Sequence, residues 1–548
     1  MRIKSIFAIL LAIATMASCS DNNEGGGSTP DTGSSGTAYM SLNVTYPTSS
    51  TKATGSTEEG PVKDEAAIKD FYVLTFNAGK ELIKHSNVST YYTPIGTSLV
   101  NLLKVNPDTK YLLVIANPGA AMQERLTEIS DAAIGGTTQT YTMLNAVLTA
   151  ELAAGNTPDV LVNEIMGELD EEGIGKYFTM INVGTYDDVN SEWPEDGLLD
   201  VSENVITVDP NGTYKTDEAA QNAAKGKKAT LKIERLAAKL KVDASTAKAV
   251  TDVYPNAKFE FGAWILDYRN SVFFPYAKKT ALNTHNTSGG FYDNNFYTED
   301  PNYILDMSGL KHQEGIILNK AANTDAVPAD ALWKATGGVD YCIENTMAKD
   351  AQKFGAATRL VIRGTYTPDS DAIPEGTDWF FWNTTAYSIT SLKEYYNGLK
   401  AAGNPTTIEQ LFIAATDKFL AEVQKKNAEI VDIDALTAER LAVIENGGEI
   451  SKIDNCLRWY QKGLNYYYYE IRHDNSDLGQ MEFGKYGVVR NNWYDLNLKN
   501  VNGKGTPWYP GGGPEEPDPG EDIDQESAYL YFEIEVGPWV YWTTDFDI

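Results

Sequence analysis

Three cysteines, four histidines and a run of carboxylates near the C-terminus are the side chains of this 548-residue sequence best suited to chemistry. The histidines, His85, His285, His312 and His473, have no metal-ligand spacing, and there is no HExxH, nucleophile elbow or Gly-rich phosphate loop. Asp518, Glu521, Asp522, Asp524 and Glu526 could offer oxygens to a hard cation. Without the spacing and turn glycine of a calcium loop they read as a solvated acidic stretch. Cys342 and Cys456 are far apart and form no CxxC, which argues against zinc or redox chemistry. They are either a disulfide pair of an oxidising compartment or two buried thiols. The expectation is a chain with no catalytic constellation, no cofactor and no metal.

Cys19 is a different case. Arg2 and Lys4 precede an apolar run at 6–17 that is too short to span a bilayer, the pattern of an export signal. Met16-Ala17-Ser18-Cys19 resembles a bacterial lipoprotein box, which implies cleavage after residue 18 and acylation of Cys19. An ordinary secretory signal with an incidental cysteine is the alternative. Ser20-Asp21-Asn22-Asn23-Glu24 looks like the acidic surface-export tag of Bacteroidetes lipoproteins, and the Gly/Ser/Thr-rich remainder of 19–37 is a flexible linker. Net charge is −31, from 76 acidic against 45 basic residues, which argues against nucleic acid and anionic lipid as electrostatic partners.

Two strands and one loop must position whatever the chain does. In 38–46, Met40, Leu42 and Val44 fall on one side and Tyr39, Ser41, Asn43 and Thr45 on the other, the period of a half-buried strand. A polar loop follows, and its Lys52 is either accessible to a protease or one solvated lysine among many. At the far end, 527–548 is strongly β-like. Ala528, Leu530, Phe532, Ile534 and Val536 share a face, Gly537-Pro538 punctuates the run, and Val540, Trp542, Phe546 and Ile548 are the apolar contributors of the resumed strand. Burying Leu530, Phe532, Ile534 and Val536 would contribute ~1.5 to 3 kcal/mol each. Residues 511–526 have almost nothing to pack into a core and predict an extended acidic Pro/Gly tether. Such a strand either docks on its own domain or serves a neighbour.

Between these ends the pattern is mainly β. Strands are expected at 68–77, 98–105, 111–116, 205–208, 229–233, 236–242, 259–274, 360–366, 459–471, 483–489 and 492–498, with a helix at 120–129. Thr406-Thr407-Ile408-Glu409 matches a capping box, and Ile408, Leu411, Phe412, Ala415, Phe419 and Val423 share a face of the helix it opens. A shorter helix is expected at 435–444. Tyr466-Tyr467-Tyr468-Tyr469 could stack on sugars or pack across a strand. The chain divides into domains at 38–228 and 229–510.

KYGVVRNNWYDLNL at 485–498, GKGTP at 503–507, the acidic proline tether and the terminal YLYFEIEVGPWVYWTTDFDI resemble the minor-fimbrium type of fimbrillin, subunits of Bacteroidetes type V pili. The strand before a basic loop site and ERLAAK at 234–239 add to the match. The resemblance implies two transthyretin-like β-sandwich domains with helical and loop insertions. It further implies a lipoprotein precursor anchored in the outer membrane and then a trypsin-like cut, here best matched by Lys52. Donor-strand exchange follows, in which the strand at 38–46 is lost and the C-terminal region of another copy fills its groove. The implied product is a shaft subunit of an extracellular fimbrium, with other copies, other fimbrial subunits and an unidentified surface ligand as partners. A tip or accessory fimbrillin, which tends to lack the donor segment, and a surface glycan-binding lipoprotein are the alternatives.

Overall fold

The computed structural model of the chain describes residues 36–45, 65, 67–83, 93–94, 100–148, 150–151, 162–171, 173–184, 196–244, 249–270, 272–281, 296–301, 303, 316–317, 327–473, 481–510, 513–514, 517–523 and 530–538. Strands dominate them, in sheets that bury two principal cores, with helices set on top. Among the described residues no helix is long and apolar enough to cross a membrane.

The first domain is organised by Ala38–Thr45, whose alternation sends Ala38, Met40, Leu42 and Val44 into one large core. The same core takes both faces of Tyr111–Ala116, whose Leu112, Leu113, Val114 and Ile115 are all buried, which is why that stretch reads as a continuous apolar run. Phe71–Phe76 pairs antiparallel with Tyr111–Ala116, and the helices Ala120–Ile134 and Tyr141–Leu148 supply Met122, Leu126, Ile129, Leu144 and Leu148 to the core. The first helix runs past the expected 129 to Ile134, because Ala133 continues the buried stripe and Gly135 ends it.

The pairing of the first sheet continues past 228/229, the expected domain edge. Ala229–Arg235 pairs with Ala38–Thr45 and with Met180–Asn182, completing the first sheet. Ala237–Asp243 then pairs antiparallel with Val339–Ile343 and parallel with Asn492–Val501, opening the second. The composition change at 226–228 coincides with the end of the helix Asp217–Gly226. Tyr341 and Ile343 of the second domain reach into the first core, so apolar packing continues across the junction.

The second domain is a sandwich. One sheet contains Ala237–Asp243, Val339–Ile343 and Asn492–Val501; the other contains Lys258–Asp267, Arg359–Thr367 and Leu464–Glu470. Leu240, Val242, Tyr494, Leu496 and Leu498 from the first meet Trp264, Leu266, Leu360, Ile362, Tyr467 and Tyr469 from the second. The strands Arg359–Thr367 and Leu464–Glu470 are direct neighbours, yet the chain between them builds a separate lobe: the sheet of Trp379–Trp382, Thr385–Ser388 and Arg458–Tyr460, and the helices Ile389–Ala402, Thr407–Lys426 and Ala438–Ala442. Its own core, including Phe380, Leu392, Phe412, Phe419, Val423, Leu441 and Trp459, explains how a hairpin tolerates so long an insertion. The capping box forms: Thr406 Oγ1 accepts from Glu409 N at 3.4 Å, and Thr406 N donates to Glu409 Oε2 at 2.6 Å. Ile408 and Leu411, assigned to the buried face by spacing, are 61% and 58% exposed. Phe412, Ala415, Thr416, Phe419 and Val423 form the stripe instead, because the lobe's sheet meets only that flank.

The disulfide alternative for Cys342 and Cys456 is not realised. Both are free and buried, Cys342 between the sandwich sheets and Cys456 in the inserted lobe, so they occupy different cores. Burial pushes the Cys342 thiol up to about 12 and the Cys456 thiol up to about 11, which keeps both protonated and unreactive at neutral pH. Iodoacetamide should therefore label neither site in the native chain, and both after unfolding without reductant. Blocked sites in the unfolded, unreduced protein would restore the disulfide.

Candidate functional site

Ala38–Thr45 is an interior strand with both edges occupied. On one side it pairs antiparallel with Val100–Val105, from Ala38 opposite Val105 to Asn43 opposite Val100. On the other, Ala38 and Tyr39 pair with Thr207 and Ile206, and Leu42 to Thr45 run parallel to Ala229 to Lys232. Thr45 Oγ1 donates to the Leu231 carbonyl at 3.0 Å, and Tyr39 packs outward on Ile206, Ala220 and Ala224 with its hydroxyl 3.1 Å from Asp217. Without this strand, the neighbouring strands on both sides would present unpaired backbone along an apolar floor that includes Leu103, Val105, Leu231 and Ile233.

The C-terminal strand Leu530–Pro538 lies on its own domain. It pairs antiparallel with Asn492–Val501, Val536, Ile534 and Phe532 standing opposite Tyr494, Leu496 and Leu498, with an irregularity between Leu498 and Asn500. Ala237–Asp243 occupies the other edge of Asn492–Val501. Part of the stretch before it, expected to be a free tether, is docked. Within 517–523, Gly355 N donates to the Pro519 carbonyl at 2.8 Å and Phe354 N to that of Glu521 at 3.1 Å. Lys353 pairs with Asp522, and Ile523 is buried with Met347, Phe354 and Tyr486. One apolar side chain and a short ladder are enough to dock an otherwise polar segment, a non-local pairing that composition cannot reveal.

The remaining candidates separate clearly. Cys19, Lys52, Val540, Trp542, Phe546 and Ile548, and the histidines His85, His285 and His312, lie outside the described residues. His473 is a core residue, its Nδ1 2.8 Å from the Tyr494 hydroxyl. Among the described residues no group of three or more His, Cys, Asp or Glu could hold a metal ion. Tyr467 and Tyr469 face the sandwich core while Tyr466 packs with Trp333 and Tyr509, so the tyrosine run covers both sides of its strand and offers no stacking platform. A cleft of about 450 Å³ in the inserted lobe contains Tyr396, Lys400, Asp417 and Asp434. Its polar groups already serve one another: Tyr396 donates to Asp417, Lys400 Nζ lies 3.2 Å from Asp417, and Asn397 donates to Asp434 at 2.9 Å.

Sequence reasoning passed over Glu65, which sits in a polar stretch with no apolar pattern to flag it. Its side chain is fully buried at the domain junction. Lys239 Nζ lies 2.7 Å from its carboxylate, the Tyr341 hydroxyl donates to the same oxygen at 2.6 Å, and Arg235 Nε donates to its backbone carbonyl at 3.1 Å. Burial pushes Arg235 down to about 10 against the opposing pull of Glu65, and lowers Lys239 in the same way. Nothing in the sequence sets Glu65 apart from nearby carboxylates such as Glu58 and Glu59.

Two family models match the chain. Residues 38–235 are similar to the family described as major fimbrial subunit protein (FimA), and residues 458–545 to major fimbrial subunit protein type IV, fimbrillin, C-terminal. A comparison with curated proteins found no match. Among solved structures, a fimbrilin from Porphyromonas gingivalis W83 is 16% identical, with 92% of this chain and 99% of that one covered and a TM-score of 0.37. The tip fimbrial protein Mfa3 from Porphyromonas gingivalis, with C-terminal truncation, is 10% identical, with 92% and 100% covered and a TM-score of 0.32. These scores are too low for the superpositions to bear on the fold.

Leu42 is fully buried in the core beneath the interior strand, so Leu42→Ala should destabilise the uncut protein by about 2 to 5 kcal/mol in denaturant unfolding. A change within the ~0.5 kcal/mol of an ordinary surface substitution would show that the strand does not support that core.

Proposed function

We infer that this chain, a fimbrillin-type fimbrial subunit, is a shaft subunit that polymerises by donor-strand exchange after proteolytic loss of its first strand. In this reading it is exported as a lipoprotein acylated at Cys19 and held at the outer membrane. A trypsin-like protease then cuts after Lys52, and the segment containing Ala38–Thr45 departs. The observation that carries the reading is the two-sided pairing of that strand. A strand followed by a cleavable loop can be released by a single cut, and an interior slot left open demands another strand to satisfy both edges.

The donor is residues 539–548, with Val540, Trp542, Phe546 and Ile548 as its apolar contributors. Support comes from the in-register pairing of Leu530–Pro538 with Asn492–Val501 and from the docking of 517–523. Leu530, Phe532, Ile534 and Val536 then belong to a home strand that anchors the donor to its own subunit. Peeling that strand away would expose one edge in order to fill another, with no net gain in paired backbone.

N-terminal sequencing of fimbriae sheared from cells should begin at Ala53; chains beginning only with acylated Cys19 would overturn the maturation step. Asn497 and Glu533 are register partners, so N497C with E533C should lock the home strand under oxidising conditions and leave SDS-resistant ladders intact. Loss of the ladders on oxidation, with recovery on reduction, would move donation to residues 530–538.

A further inference from the structure

We propose that Glu65, with Asn117, is the stop that determines where maturation ends: the two side chains hold the chain beyond the cut loop at the domain junction, so proteolysis is confined to residues 46–64. The first strand can then leave while both domains stay joined. The biological meaning of this clamp rests on the maturation proposed above; its physical basis does not.

The chain between the departing strand and Phe71–Phe76 is held at two consecutive points. Glu65 is gripped from the second domain by Lys239 and Tyr341, and from the last residue of the first sheet by Arg235. Tyr341 is itself joined to the first domain, its hydroxyl accepting from Gly175 N at 3.3 Å, and Lys239 lies over the Trp493 ring at 4.5 Å. Immediately beyond, Asn117 holds the backbone. Its Oδ1 accepts from Lys69 N at 2.7 Å and Asp70 N at 3.4 Å, and its Nδ2 donates to the carbonyls of Ala67 at 3.0 Å and Phe178 at 3.1 Å. Asn117 does this from a left-handed backbone conformation, φ 48°, which asparagine tolerates better than most residues.

These contacts bear directly on cleavage. The basic residues following Lys52 are Lys63, Lys69 and Lys80. A trypsin-like protease needs an extended segment and a lysine side chain free to enter its specificity pocket. At Lys69 the amide of the cleavable bond itself, Asp70 N, and the Lys69 amide before it are both bonded to Asn117, and the amine lies over the Tyr177 ring at 5.8 Å. Cutting there requires the clamp to open first. The ion pair that closes it is buried from solvent, so salt screens it far less than a surface pair. Retaining Glu65 also keeps a carboxylate against Lys239 and its backbone carbonyl against Arg235, both buried cations that would otherwise lose these partners.

The test is native digestion of the full chain with trypsin, with N-termini of the products read by mass spectrometry. Wild type should yield new starts at Ala53 and Asp64 and resist cleavage after Lys69. Because cleavage from a locally open state tracks its population, Glu65→Ala and Asn117→Ala should each raise products starting at Asp70 by about tenfold or more, and Glu65→Gln, which keeps the Tyr341 contact, by less. Rapid cutting after Lys69 in wild type would overturn the clamp. Hydrogen exchange needs no variant: the Lys69 and Asp70 amides should stay equally protected before and after the cut, and loss of protection on cutting would overturn it. Cut protein that keeps these amides protected yet forms no ladders supports the clamp and overturns the polymerisation reading. Ladders formed from cut protein with unprotected amides do the reverse.

Discussion

An interior strand at the start of the chain is the constraint on which the first domain depends. Ala38–Thr45 is bonded along both edges and its inward side chains help fill the principal core. Strands in that position ordinarily belong to the permanent framework, since removing one leaves two unpaired edges and an open apolar floor. Here the same strand is followed in sequence by a long polar stretch, and beyond it Glu65 and the residues bonded to Asn117 are held at the junction. The arrangement joins a structural necessity to a separable piece of chain.

The second half of the molecule resists such separation. Its two sheets share a core, its first strand lies beside the Asn492–Val501 strand, and the latter also carries Leu530–Pro538 on its free edge. Docking of 517–523 on 352–355 shortens whatever reach the chain retains beyond the sandwich. Insertion of a helical lobe into the Arg359–Thr367 and Leu464–Glu470 hairpin leaves this framework undisturbed, because the lobe closes over its own apolar core. The inserted lobe is thus an addition to the sandwich, not a member of it.

Local patterns were legible wherever the physics is local. The alternation of Met40, Leu42 and Val44 announced a strand, though its other face is covered as well, and Thr406 with Glu409 announced a helix start, because both depend on residues a few positions apart. The errors came where the answer lay elsewhere in the chain. Ile408 and Leu411 have helical spacing suited to burial, but the sheet beneath their helix reaches only the flank carrying Phe412 and Phe419. The composition changes at 226–228, while pairing carries the first sheet on through Arg235.

By itself the sequence determined the mainly β character, the apolar faces of its terminal strands, and the resemblance that pointed to a fimbrial subunit. Those properties follow from side-chain periodicity and short motifs. Only the tertiary structure decided that the first strand is interior, that Leu530–Pro538 pairs with its own domain, that the two thiols lie in separate cores, and that Glu65 closes the junction. Each of these depends on residues far apart in the chain being brought together. Sheet pairing and buried ion pairs are contacts across the fold, and no local pattern encodes which partner a strand edge or a carboxylate will meet.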